Sequence, residues 1–194
     1  MSSHFYSMLS RMKYIERWAL MRNTQRENLS EHSLEVAFIA HALAVIKNRR
    51  LGGSVNAERA ALVAMFHDTT EILTGDLPTP IKYYSDDIRE VYKKIETVAG
   101  EQLCELLPAD LRPDFSEIYG CDDEEILKIV KAADKISALI KCISEKTAGN
   151  GEFLIAEKAT RESIKALSLP EADIFMDEFL ESFSLPLDDM TLKK

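Results

Sequence analysis

Apolar side chains recur at helical spacing along almost the whole chain, and hardly any stretch alternates as a strand would. Residues 5–15 read as a short amphipathic helix and 16–27 as an irregular segment. A long helix is predicted to start near Asn28: Asn28 and Glu31 have capping-box spacing, with Ser30 as a rival N-cap. Over 34–46 that helix is apolar nearly all round, with Ala37, Ala40, Ala42 and Ala44 among larger side chains, so other helices are expected to enclose it. Asn56 caps a third predicted helix, which runs to about Ile72. It stops at Thr74-Gly75-Asp76-Leu77-Pro78-Thr79-Pro80, where Gly and two Pro cannot continue it. A charged amphipathic helix is predicted over 86–106, then a loop with at most a short helical turn over 112–120. Asp122-Asp123-Glu124-Glu125 opens a long helix to about Lys146, its acidic first turn suiting the positive helix end. Beyond Gly149-Asn150-Gly151, helices are predicted near 152–167 and 171–182, followed by a peripheral tail from about residue 184. The pattern specifies an all-α, multi-helix bundle.

At 194 residues the chain fits one domain, 1–194, although length alone also allows two small ones. Its 46% hydrophobic and 29% charged residues are those of an ordinary soluble globular protein. A formal net charge of −9 argues against a nucleic-acid polymer or an anionic membrane as partner, because such surfaces need clustered Lys and Arg. One small anion in a locally positive pocket stays open. Cys104, Cys121 and Cys142 are odd in number and lack C-x-x-C spacing, so neither a disulfide framework nor a thiolate zinc site is expected. The N-terminus does not read as a signal peptide, and charges interrupt every apolar run before it reaches membrane-spanning length. The cytoplasm is the expected location.

Chemistry concentrates at His67-Asp68, late in the third helical run. With His32 upstream and Asp134 downstream, two imidazoles and two carboxylates come from three helices, a set able to hold one divalent metal around the bundle centre with room for water. His67 and Asp68 are expected as helix neighbours about 100° apart, with Glu71 one turn after His67 on its side. Asp134 lies in Val130-Lys131-Ala132-Ala133-Asp134-Lys135-Ile136, where the alanines leave space for close approach. Two imidazoles tilt the choice towards Mn²⁺, Co²⁺, Fe²⁺, Ni²⁺ or Zn²⁺ over Mg²⁺. Each residue also has a plainer reading: partly buried histidines, a helix-end carboxylate at Asp68, a solvated charge at Asp134. His41, nine residues after His32, is expected on nearly the same face as core packing or a hydrogen-bonding group. His4 is expected to be exposed, and neither joins the site.

The pattern His32, His67-Asp68, Asp134 resembles the HD-domain superfamily of metal-dependent phosphohydrolases. The likeness extends through Arg17-Trp18-Ala19-Leu20-Met21-Arg22-Asn23, Glu27-Asn28-Leu29-Ser30-Glu31-His32-Ser33 and Asn56-Ala57-Glu58-Arg59. It continues in Phe66-His67-Asp68-Thr69-Thr70-Glu71-Ile72-Leu73 with the loop to Pro80, and in Ala148-Gly149-Asn150-Gly151-Glu152-Phe153-Leu154. These segments are similar to the bacterial 5′-deoxynucleotidases over nearly the whole chain. That resemblance implies a helical homodimer that hydrolyses deoxyribonucleoside 5′-monophosphates to deoxyribonucleoside and phosphate. It implies one divalent transition metal, Co²⁺ or Mn²⁺ first, with Zn²⁺, Fe²⁺, Ni²⁺ or Cu²⁺ as alternatives and Mg²⁺ least. It assigns His32, His67, Asp68 and Asp134 as ligands, with His32, Asp68 and Asp134 also bordering the substrate. Arg17 is implied as the residue that orients phosphate, and Glu71 as the catalytic carboxylate acting with Asp68. Trp18 is implied beside the sugar, disfavouring a 2′-hydroxyl, and Asp76, Leu77, Pro78 and Thr79 as the substrate loop.

The side-chain chemistry suits those roles, with alternatives. Arg17 has a planar fork for two phosphate oxygens, though it also reads as an ordinary surface arginine. Glu71 can orient water, protonate the leaving oxygen, or support His67. Trp18, the sole tryptophan, reads on composition alone as a core or interface anchor. The prolines stiffen the 75–80 loop, which otherwise is a plain terminating turn. No P-loop or dinucleotide glycine motif occurs. Two other functions stay open: an HD phosphohydrolase acting on triphosphates, cyclic nucleotides or guanosine polyphosphates, and a non-catalytic helical binding protein with a structural metal.

Overall fold

In the computed structural model, which describes residues 2–78 and 84–190, capping side chains set most helix starts. Helix α1 (Phe5–Leu9) tightens into a 3-10 turn over Ser10–Tyr14. At the head of α2 (Leu29–Arg50), Asn28 accepts from the amides of Ser30 and Glu31, and the Glu31 carboxylate accepts from the Asn28 amide. Asn28, not Ser30, is therefore the N-cap. Asn56 caps α3 (Ala57–Phe66) through the Arg59 amide, and the short α4 (Glu71–Thr74) follows. Ser85 caps α5 (Asp86–Glu105). Helix α6 (Arg112–Tyr119) occupies the segment expected to be a loop; Pro113 in its first turn is pre-set for a helix start there, where its missing amide costs nothing. Asp123 caps α7 (Glu124–Thr147). A 3-10 turn at Gly151–Phe153 leads into α8 (Leu154–Lys165), and α9 (Pro170–Phe179) continues into 3-10 turns at Leu180–Ser184 and Leu187–Met190. Among the described residues no strand occurs, only an isolated antiparallel bridge between Glu16 and Asn28. Thr79 lies outside the described residues.

The core joins α2, α3 and α7, with α8 and α9 closing one side. Val36, Ala40 and Leu43 meet Ala60, Val63, Ala64, Ile129, Ala133 and Ile136, and the alanines let the helix axes approach closely. A smaller cluster of Phe5, Leu103 and Leu107, lined by Phe66, Phe115 and Tyr119, fixes α1 against α5 and α6. Helix α2 is long and apolar enough to cross a membrane by composition, contrary to the reading that charges interrupt every run. More than half of it is buried inside this core. Its enclosure is incomplete, however, because Leu34, Phe38, His41 and Val45 form one exposed stripe at helical spacing. His41 is thus solvent-facing rather than core: nine residues advance a helix by two and a half turns, which puts it opposite His32. His4 is exposed as expected, and all three cysteines are free.

The third helical run also ends earlier than expected. It breaks at Phe66, and residues 67–70 form a turn held by i→i−3 bonds: Thr69 N–H to Phe66 O at 3.2 Å and Glu71 N–H to Asp68 O at 3.0 Å. The Thr69 hydroxyl donates to the same Phe66 carbonyl at 2.8 Å, competing with the regular helix ladder. His67 and Asp68 therefore stand in a turn beyond the helix rather than on it.

Near the end of α7, the buried Glu145 carboxylate anchors the irregular segment. It accepts from the Thr24 amide and hydroxyl, from Asn150 Nδ2 and from Lys141 Nζ. Lys141 also donates to the Gln25 carbonyl. These bonds tie residues 24–25 and the 148–150 loop to the last turns of α7.

A candidate metal centre between three helices

His32 enters from the first turn of α2, His67 and Asp68 from the turn after α3, and Asp134 from the middle of α7. Ligating atoms of His32, His67 and Asp68 all lie within 4.8 Å of one another. Asp68 Oδ2 is 3.1 Å from His67 Nε2 and 3.6 Å from His32 Nε2. Asp134 stands just outside that triangle and half exposed, its Oδ1 3.2 Å from His32 Nε2.

Both histidine rings turn Nε2 towards the centre. His67 Nδ1 lies 2.7 Å from the Ala64 carbonyl, which can only accept, so Nδ1 carries the proton. His32 Nδ1 lies 3.0 Å from Ser137 Oγ, which donates to Glu35 Oε2 at 2.5 Å, and 2.6 Å from Arg17 Nη1, so its Nε2 is the nitrogen that faces the centre. The two buried Nε2 atoms make no hydrogen bond among the described residues. Buried polar atoms without partners are costly, and a cation among two imidazoles and a carboxylate removes that cost. The residues fit a divalent transition metal.

Charge at the centre follows the same geometry. Burial alone would lower the pKa of His67, but the Asp68 carboxylate beside it prevails and pushes it up to about 9. His32 moves the other way, lowered by burial and by the Arg17 guanidinium. Burial opposes charge on Asp68 as well, and His67 overrides it, so Asp68 is held as a carboxylate.

Arg17, nearly buried, places Nη1 2.6 Å from His32 Nδ1 and 3.1 Å from Glu27 Oε2, while Nη2 lies 3.9 Å from Asp134 Oδ1. Arg17 is therefore part of the centre and not a surface residue. Trp18 packs on Phe153 with ring centroids 5.4 Å apart and donates from Nε1 to Glu27 Oε2 at 3.2 Å. Its φ of 58° is left-handed, a conformation that a bulky residue keeps only where its surroundings fix it. Glu71 is buried at the start of α4, three residues after Asp68. Gly75 follows that helix with φ 73°, which a side chain would strain, and turns Asp76, Leu77 and Pro78 into a half-buried loop. Asp76 is close enough to Arg17 to favour its charge.

The sequence reading missed Glu27, Glu35 and Ser137. Ser137 follows Asp134 by three residues and Glu35 follows His32 by three, so helical spacing alone places each beside a ligand. Glu27 has no such signal, since it reaches Arg17 only through the bridge that pairs Glu16 with Asn28.

The chain matches the family model of YfbR-like 5′-deoxynucleotidases over residues 4–183. It is 53% identical to the 5′-deoxynucleotidase YfbR of Photorhabdus temperata, over 98% of both chains. It is 52% identical to a 5′-deoxynucleotidase of Yersinia pestis, again over 98% of each. Among solved structures, an HD-domain phosphohydrolase from Listeria innocua superimposes with a TM-score of 0.80 at 24% identity, covering 93% of this chain and 88% of that one. The HD phosphohydrolase DatZ of cyanophage S-2L, bound to dA and one catalytic Zn²⁺, gives a TM-score of 0.67 at 18% identity over 91% and 96%. Both share the HD-domain fold with this chain.

Proposed function

The chain belongs to the YfbR-like 5′-deoxynucleotidase family, and from that premise we infer that it removes phosphate from deoxyribonucleoside 5′-monophosphates at the His32–His67–Asp68 centre. The observation that carries this reading is the pair of buried, unbonded Nε2 atoms converging on Asp68, with the Arg17 guanidinium beside them. A divalent metal held there supplies Lewis acidity and a nucleophilic water near neutral pH. His32, His67 and Asp68 are its ligands, and Asp134 is the fourth, within reach of His32.

The chain's own residues do the rest. Arg17 keeps Nη1 on Glu27 and turns Nη2 towards the metal side, where it binds a phosphate oxygen and offsets charge that grows in transfer. Glu71, shielded from solvent, orients the attacking water or hands a proton to the departing 5′-oxygen. Trp18 walls the sugar, so a 2′-hydroxyl meets indole and finds no partner. Asp76, Leu77 and Pro78 belong to the loop over the substrate.

Phosphate release from metal-stripped protein, with one cation restored at a time, tests this. Turnover is expected with Co²⁺ or Mn²⁺ and least with Mg²⁺, and deoxynucleotides should outpace ribonucleotides. Tight metal binding without turnover on any monophosphate would instead favour a structural metal in a binding protein.

A cytoplasmic homodimer is part of the same proposal. The exposed stripe of α2 continues into a groove of about 640 Å³ lined by Phe38, Val45, Phe175, Phe179 and Phe183, an apolar face suited to a second copy. Phe38→Glu is expected to shift the protein to monomer in sedimentation equilibrium. The row Ile88, Val91, Ile95 and Val98 on α5 is also partly exposed, and Val91→Glu serves as the comparison. If Val91→Glu alone dissociates the dimer, the interface lies on α5.

A further inference from the structure

Arg17 and Trp18 are consecutive, and consecutive side chains of extended backbone point to opposite sides. Here both reach one atom. Arg17 Nη1 donates to Glu27 Oε2 at 3.1 Å and Trp18 Nε1 donates to the same oxygen at 3.2 Å. The left-handed φ at Trp18 turns the indole to Arg17's side. Glu27 itself is held from both flanks: Arg17 N–H donates to the Glu27 carbonyl at 3.0 Å, Leu29 N–H donates to the Ile15 carbonyl at 3.0 Å, and the next residue, Asn28, is the cap of α2. Its side chain is 14% exposed, and that of Arg17 is 13% exposed. The carboxylate is thus a fixed peg, built on the N-terminus of the core helix, from which two side chains hang.

We propose that Glu27 is a positioning residue that sets the phosphate fork and the sugar wall together, so that rate and deoxy selectivity share one support. It does so without touching substrate. It shares Arg17 Nη1 with His32 Nδ1, 2.6 Å away, which leaves Nη2 3.9 Å from Asp134 Oδ1, and by holding Trp18 Nε1 it fixes the indole plane against Phe153. Because both donors converge on Oε2, a glutamine that presents its oxygen there retains both contacts and loses only charge. Alanine loses both.

The proposal rests on the roles given above to Arg17 and Trp18, and the experiment separates the two levels. Metal-loaded Glu27→Ala, Glu27→Gln and Trp18→Ala are compared on one deoxynucleotide and its ribonucleotide. Trp18, the only tryptophan, adds a fluorescence readout independent of turnover. In Glu27→Ala, kcat/KM on the deoxynucleotide should fall about tenfold to a hundredfold, as expected for slight misplacement of a binding group. The deoxy preference should fall by about tenfold in the same variant, with Trp18 emission shifted to longer wavelength. Glu27→Gln should restore most of the preference and the native emission. If Glu27→Ala does not fold, Glu27→Asp replaces it: one methylene shorter, it cannot reach both donors and should lose the preference too. Unchanged emission and preference in the Glu27 variants, while Trp18→Ala loses preference, overturns the role of Glu27 and leaves the sugar wall intact. Retained preference in Trp18→Ala removes the wall itself, and the role of Glu27 in selectivity with it.

Discussion

Asp68→Ala is expected to leave a folded protein with almost no phosphatase activity at any pH. Asp68 places a carboxylate within 4.8 Å of both histidines, and its charge would let two imidazoles and a divalent cation share a small, mostly buried space. Without it the centre loses the carboxylate that lies in contact with both imidazoles. Lewis-acid and nucleophile chemistry is worth several kcal/mol at the transition state, so the loss is about a thousandfold or more in kcat/KM. The protein should stay folded, because Asp68 stands in a turn outside the α2–α3–α7 core. Metal content after dialysis should fall well below one per chain while the far-ultraviolet circular dichroism stays helical. A stoichiometric metal with intact turnover in this variant would move the centre elsewhere.

Glu71→Gln should give the second largest loss with the opposite metal outcome. Glu71 is buried, sits just after the ligand turn, and is not among the residues that converge as ligands. Gln keeps its shape and removes only its capacity to take or give a proton. A general acid or base contributes about 10²–10⁴-fold, and kcat should drop within that range with bound metal unchanged and KM little altered. If metal leaves together with activity, Glu71 supports His67 rather than the reaction. If neither changes, it has no part in the chemistry.

Much of the fold is legible in the sequence alone, for identifiable reasons. Caps are local, and so Asn56 and the Asn28–Glu31 pair mark helix starts in the sequence, as the acidic run over 122–125 marks the start of α7, although only the fold decides for Asn28 over Ser30 and picks Asp123 as the cap. That His32, His67, Asp68 and Asp134 come together was legible from imidazoles and carboxylates spaced along apolar helical runs. Departures occur where a single extra hydrogen bond tips a local balance. The Thr69 hydroxyl on the Phe66 carbonyl ends α3 before His67, although the hydrophobic period runs on to Ile72. Pro113, in the first turn of α6, favours a helix where a loop with at most a short helical turn was expected. Glu27 belongs to a third kind, since only the pairing of residues 15–17 with 27–29, set by the tertiary fold, brings it to Arg17 and Trp18.

The break after α3 has a wider consequence. Two of the candidate ligands ride on core helices, His32 on α2 and Asp134 on α7, while His67 and Asp68 ride on a four-residue turn whose backbone bonds are i→i−3 and whose hydrogen bond to another helix joins the Thr69 hydroxyl to that of Tyr119. Opening such a turn is expected to cost less than unfolding the domain. An ion held there would therefore not be sealed in at folding. It would leave and be replaced while the bundle stays assembled, and in a cell the occupant would become a matter of which divalent cation is most available over the protein's lifetime.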